Sequence, residues 1–245
     1  MTAVNPGDTP PAQRSWAGVL LDDPKHGPLP ALMLLLTVVT GLIDAVSILA
    51  LGRVFVANMT GNVAFVGFAA AGAAGFSLGA SLSALAGFLV GAMVGGKFAV
   101  RFGAHRGRLL RNAVGAELGL YLVIIVVTLA TTIRPGGISG DTVAAVAAVA
   151  MGLQNAAARR LAVPDMTTTV LTMTLTGIAA DVQTSGRGAI VRRSLAVTSM
   201  LLGAAVGAVL VLHVDITTPL AIAAGLLAVV AGGAALASRR PAVWH

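Results

Sequence analysis

Residues 41–62, GLIDAVSILALGRVFVANMTGN, decide the reading of this chain. They hold two apolar runs joined at Gly52-Arg53. Asp44 stands in the middle of the first. Asn58, Thr60, Gly61 and Asn62 stand in the second. Polar groups are expensive in lipid, so each is a functional candidate by default. The surrounding sequence makes lipid the expected solvent. Of the 245 residues, 57% are hydrophobic and 10% charged, against roughly 25% charged in a soluble domain. Several apolar stretches approach the ~20 residues that cross a bilayer as a helix. The expected fold is all-α, a polytopic helical membrane protein. Cys is absent, which excludes disulfides and thiolate metal sites. A net charge of +7 fits Lys and Arg gathered in cytoplasmic loops better than it fits a nucleic-acid partner.

Working outward, apolar stretches cover 29–51, 54–74, 77–98, 113–133, 142–158, 166–182, 195–212 and 220–237. Residues 1–29 carry five Pro and read as a disordered cytoplasmic leader. Residues 30–237 read as one transmembrane domain, and 238–245 as a cytoplasmic tail. Basic loops follow the third stretch (Arg101, His105, Arg106, Arg108, Arg111) and the sixth (Arg187, Arg192, Arg193).

The chain repeats itself. Val54–Asn62 (VFVANMTGN) lies over Val170–Ile178 (VLTMTLTGI), and Ser83–Ala92 over Ser199–Ala208, both at an offset of 116. Gly41–Ala45 (GLIDA) lies over Gly152–Ala156 (GLQNA) at an offset of 111, so five residues are inserted in the second half. The repeats are expected over about 30–133 and 141–237.

Charge then selects a topology. If all eight stretches span, Lys and Arg divide eight to eight and specify no orientation. If the second and sixth stretches enter and leave on one side, the division is fourteen to two, with only Arg53 and Arg134 outside. The positive-inside rule favours the second arrangement. It leaves six spans, both termini in the cytoplasm and two three-span halves inverted relative to each other. Discontinuous helices at such a repeat interface form the site in many transporters. Gly61 and Gly177 are expected to permit the break in each Thr-Gly helix.

The candidate binding residues follow. Asp44 could bind a cation, carry a proton or recognise a donor on a solute. Its repeat mate is Asn155, beside Gln154. Asn58, Thr60 and Asn62 match Thr174, Thr176 and Ile178, while Thr172 and Thr167 to Thr169 add hydroxyls. Together they suit a small solute or ion. Small residues at Gly79, Ser83, Gly87, Gly91 and Gly95 line one helix face, as do Ser199, Gly203 and Gly207. They are expected to pack these two helices against each other, or to form a homodimer contact. Asp181 reads as an interfacial salt-bridge partner, and Glu117, early in its stretch, as a headgroup-level residue. No His has metal-ligand spacing, and no Ser-His-Asp set or phosphate loop appears, so neither an enzyme nor a cofactor is expected.

These residues carry a resemblance. GLIDA at 41–45, VFVANMTGN at 54–62, GLQNA at 152–156 and the pair Thr176-Gly177 make the chain similar to the YoaK family of bacterial membrane proteins. That family is defined by sequence and has no assigned function. The resemblance covers about 30–237 and implies a multi-span inner-membrane protein. The leading expectation is a small-solute or ion transporter. The rival is a membrane scaffold working through its glycine faces.

Overall fold

The structure, a computed structural model, describes residues 20, 23, 25–169, 171–181, 184 and 186–239. Most of the expected leader, Val170 of the repeat match and the last residues of the tail lie outside them. Eight helices of eight residues or more follow one another: α1 (Leu29–Ala50), α2 (Met59–Ala70), α3 (Leu78–Phe102), α4 (Arg106–Ala130), α5 (Ile138–Leu161), α6 (Thr172–Ala180), α7 (Arg187–His213) and α8 (Thr217–Ala237). No β-strand occurs among the described residues. Five helices, α1, α3, α4, α7 and α8, are long and apolar enough to cross a bilayer. Helix α5 matches them in length at 24 residues but is less apolar.

Helices α2 and α6 are different. With 12 and 9 residues they rise about 18 and 14 Å at 1.5 Å per residue, too short for a hydrocarbon core of about 30 Å. Each forms half of a hairpin that returns to the end it started from. In the first half, the Arg53 guanidinium, just after α1, lies against Gly75, just before α3. In the second, Asp165, after α5, and Asp181, after α6, both pair with Arg193 near the start of α7. The Arg106 side chain at the start of α4 donates to the carbonyls of Leu161, at the end of α5, and Lys25, before α1. One end of the bundle therefore gathers nearly all the Lys and Arg of the described residues. Arg53 and Arg134 lie at the other end.

Helices α1 and α5 are central. Helix α1 packs on α7 and α8, and α5 on α3 and α4, while α1 and α5 also touch each other. Glycine lets two of these crossings close. A Cβ on Gly87 or Gly91 of α3 would strike the carbonyls of Ala145 or Val149 on α5, and one on Gly152 of α5 would strike Phe88 of α3. Likewise Gly203 of α7 meets Val38, Gly207 meets Leu42 and Ala45 of α1, and Gly41 of α1 meets Met200 and Ala204 of α7. The two glycine faces thus do not pack on each other, as expected above. Each is filled by the first helix of the opposite half. Gly95 also sits on α5, against Leu153 and Ala156. Gly79 lies near the Asp141 carboxylate at the helix start, and Ser83 and Ser199 are only half-buried.

The hairpins are held by different chemistry. The first is closed by rings: Phe55 stacks on Phe65 at 5.7 Å, and Phe65 and Phe68 meet Phe76 at 5.0 and 5.4 Å. The second is closed by charge, with Arg193 Nε 2.8 Å from Asp165 Oδ1 and Nη1 3.1 Å from Asp181 Oδ2. Asp181 thus takes the ion-pair role its position suggested. Gly61 and Gly177 lie inside α2 and α6 rather than at breaks. What each provides is a notch: a Cβ on Gly61 would strike the Phe55 ring, and one on Gly177 the Arg193 guanidinium.

Candidate functional site

The site begins where the first hairpin folds back along α1. Helix α1 ends at Ala50, and Leu51–Ala57 runs non-helically back beside it. Leu51, Val54, Val56 and Ala57 are all buried. Residue 57 thereby returns to the level of residue 44, about 9 Å below the helix end at 1.5 Å per residue. The backbone N–H of Ala57 donates to Asp44 Oδ1 at 3.3 Å. Irregular backbone at this depth is tolerated because protein surrounds it. Asp44 is 5% exposed, and its second oxygen, Oδ2, has no hydrogen-bond partner among the described residues.

The second half makes a parallel set of contacts. Gln154 Nε2 donates to Thr168 Oγ1 at 3.3 Å, and Asn155 Nδ2 to Thr169 Oγ1 at 2.7 Å. Both reach from α5 into the connection that leads to α6, fourteen residues ahead. Asp44 reaches thirteen residues ahead to Ala57. The second connection is the more contorted, with Ala162, Asp165 and Thr168 all in the left-handed region, where non-glycine residues are uncommon. Gln154 also ties the halves together: its Nε2 donates to Thr40 Oγ1 at 3.1 Å. Thr40 lies one turn before Asp44 on the same face of α1. Gln154 Oε1 is buried and unpartnered.

A buried polar pair on α4 was not expected. Glu117 is 0% exposed, and neither of its carboxyl oxygens finds a partner. Tyr121, one turn further along α4, is equally buried with its hydroxyl unpartnered. Glu117 is therefore not a headgroup-level residue. Helix α4 starts at Arg106, seven residues before the apolar stretch does, which carries Glu117 three turns into the bundle.

The other sequence candidates separate from this cluster. Asn62 is fully buried, but both ends of its amide are used on one residue. Its Oδ1 accepts from the Phe55 N–H at 2.9 Å, and its Nδ2 donates to the Phe55 carbonyl at 2.6 Å. It clamps the hairpin. Asn58, just before α2, and Thr60, Thr172 and Thr176, on the short helices, are exposed. Thr176 returns its hydroxyl to the Thr172 carbonyl at 2.9 Å. Thr174 is buried, on α6. Thr40 joins the site, and Glu117 and Tyr121 form a buried pair on α4, although the sequence reading did not place them so. For Thr40 and Tyr121 the available signal was helical spacing, one turn from Asp44 and from Glu117. Among the described residues no three His, Asp or Glu side chains gather as a divalent metal centre would need.

Chemically, the site is an assembly of oxygen atoms in a water-poor interior: the Asp44 carboxyl group, the Gln154 amide oxygen and the flanking threonine hydroxyls. Among the described residues no Lys or Arg is buried. The other buried side chains among them that carry charge or titrate are Glu117 and Tyr121, on α4, and His26, before α1.

Known proteins were compared with the chain. A family described as protein of unknown function DUF1275 matches residues 32–233. The UPF0700 transmembrane protein YoaK of Bacillus subtilis (strain 168) is 29% identical over 156 residues, which covers 64% of this chain and 67% of that protein. No solved structure matches.

Proposed function

Since the chain belongs to the DUF1275 family, whose description assigns no activity, we propose a function from the geometry: a carrier that moves a small solute or ion across the bacterial inner membrane through a polar site between two inverted halves. Asp44 carries the reading. It is a buried carboxyl group with one oxygen left unpartnered, set where a re-entrant hairpin meets a central helix. An intramembrane ionisable residue costs stability and is retained where it handles an ion, a proton or a substrate.

The packing supports inverted halves. Exchanging α1–α4 for α5–α8 turns the α3·α5 contact into α7·α1, α4·α5 into α8·α1, and α2·α3 into α6·α7. The glycine crossings correspond with a shift of one helical turn: Gly91 meets Val149, and Gly203 meets Val38, the repeat mate of Val149. Six membrane crossings follow, with hairpins entering from opposite sides. The basic end faces the cytoplasm by the positive-inside rule, and both termini lie there. Discontinuous segments around a midplane site are the recurring plan of secondary transporters. Asp44, Gln154, Asn155, Thr168 and Thr169 are then the binding residues, and Asn62 a positioning residue. The glycine faces are occupied within the chain, which removes the surface that a scaffold role would use.

The test is flux in proteoliposomes. Purified protein is screened with ionic and small neutral solutes under an imposed pH gradient, and Asp44→Asn is measured beside it. Loss of uptake in a variant that elutes and melts like the parent supports the reading. Undiminished uptake by that variant removes Asp44 from the mechanism.

A further inference from the structure

The hydrogen bonds around Asp44 leave acceptors without donors. The Ala57 N–H donates to Asp44 Oδ1 at 3.3 Å. The Thr40 hydroxyl donates to the Leu36 carbonyl at 3.0 Å, so toward Gln154 it can only accept. That fixes the Gln154 amide. Its Nε2 donates to Thr40 Oγ1 at 3.1 Å and to Thr168 Oγ1 at 3.3 Å, and its oxygen Oε1 is turned away from both. Asn155 Nδ2 donates to Thr169 Oγ1 at 2.7 Å. Among the described residues Asp44 Oδ2 and Gln154 Oε1 remain, both buried and both without a partner. Native interiors leave few such atoms, and each calls for a reason.

Helix geometry and one hydrogen bond bring these two acceptors together. Thr40 and Asp44 lie one turn apart on the same face of α1. Helical side chains lean toward the N-terminus, which sets the Asp44 carboxyl over the turn that carries Thr40. Thr40 in turn holds the Gln154 amide, where α1 and α5 touch. The Thr40 oxygen keeps a second lone pair. The gap between α1 and α5 is thus bordered by three acceptors, one of them on an ionisable group.

We infer that this gap takes a small monovalent cation that carries N–H groups: ammonium, or a primary ammonium such as methylammonium. This deepens the carrier reading and rests on it for movement, but not for binding. Asp44 is the ionisable member of the set, and among the described residues no Lys or Arg is buried to oppose it. One carboxylate balances one positive charge. An anion would meet a carboxyl group and an amide oxygen. A divalent ion would lack the cluster of acids that holds it. A bare alkali ion exchanges its hydration shell for a full ring of oxygens, more than two acceptors and a threonine lone pair supply. An ammonium group on a carbon brings three N–H donors, which match Asp44 Oδ2, Gln154 Oε1 and the Thr40 lone pair. Its charge keeps the Asp44 carboxylate paired out of water, and its N–H groups give both orphaned oxygens a donor.

The experiment is isothermal titration calorimetry of the detergent-purified full chain with ammonium, methylammonium, potassium and tetramethylammonium chlorides at equal ionic strength. Potassium matches ammonium in charge and nearly in size but has no donor. Tetramethylammonium has the charge and no N–H. Saturable heat from ammonium or methylammonium, and none from the other two, is expected. Gln154→Leu should weaken that binding about 10- to 100-fold, as loss of one hydrogen bond to a charged group does. Asp44→Asn should remove it. The comparison of ammonium with potassium needs no substitution, so it stands even where a variant does not fold. Potassium bound as tightly as ammonium, no saturable binding of either ammonium salt, or undiminished binding by a folded Gln154→Leu protein overturns the inference. Ammonium binding that Asp44→Asn abolishes, without flux of any solute in liposomes, would defeat the carrier reading and leave this site standing. Asp44-dependent flux of another solute, in a protein that binds no ammonium, would do the reverse.

Discussion

Asn62→Leu separates hydrogen bonding from packing in the first hairpin. The substitution keeps the branched shape and heavy-atom count of the side chain at a site with 0% exposure. It removes the bonds of 2.9 and 2.6 Å that pin the N–H and C=O of Phe55. Each backbone group left without a partner costs about 1–3 kcal/mol. Partial access to water from the loop's outer side lowers that range, so opening of the 51–58 connection should become easier by about 2–4 kcal/mol. At a tenfold change for every 1.4 kcal/mol, local opening becomes roughly 30- to 1,000-fold more frequent. Hydrogen exchange read by mass spectrometry on peptides covering 52–58 measures that change directly, since local openings carry their own free energies. Peptides from the middle of α5 should exchange as in the parent. An Asn62→Leu protein whose 52–58 peptide exchanges at the parental rate would refute the clamp and with it the reason for Asn62.

Two further outcomes are expected. Gly91→Ala places a Cβ against the Val149 backbone, which cannot yield as a flexible side chain would. Overpacking of this kind costs about 1–3 kcal/mol, so the variant should lose heat resistance in detergent while Gly96→Ala, with open space at its Cβ, should not. Arg193→Gln removes the ion pairs to Asp165 and Asp181. Exchange in peptides over 172–181 should rise, with the α2 peptides of the ring-closed hairpin unchanged.

Much of this fold could be read along the chain because lipid imposes length. A run such as 29–51 has few folds open to it besides a spanning helix. The short helices were harder, since 54–74 is apolar enough to span. What marked them was remote: the distribution of Lys and Arg over the other loops, with Arg53 and Arg134 set apart. Asp44 and Asn155 were legible as polar groups in matched repeat positions, with Gln154 beside the second. Glu117 was misplaced because its apolar stretch begins at residue 113 while helix α4 begins at Arg106. The helix extends through a basic segment that hydropathy discards, and the depth of Glu117 depends on that extension. The threonines of α2 and α6 misled for another reason. A hydroxyl can satisfy itself on its own helix, as Thr176 does on the Thr172 carbonyl, so its presence in an apolar run does not require a ligand. The partners of the glycine faces depended on the order in which helices meet in space. Gly-xxx-Gly spacing identifies a face that can be approached closely and is silent on what approaches it.

Sidedness of the connections tests the re-entrant hairpins most directly. The chain has no Cys, so single cysteines at Arg53, Gly75 and Gly186 can be labelled in intact cells by a membrane-impermeant maleimide without background. Arg53→Cys and Gly75→Cys are expected to label from outside, and Gly186→Cys only after the cells are opened. Labelling of Arg53→Cys and Gly75→Cys from opposite sides would make α2 a crossing helix and contradict the site built around Asp44.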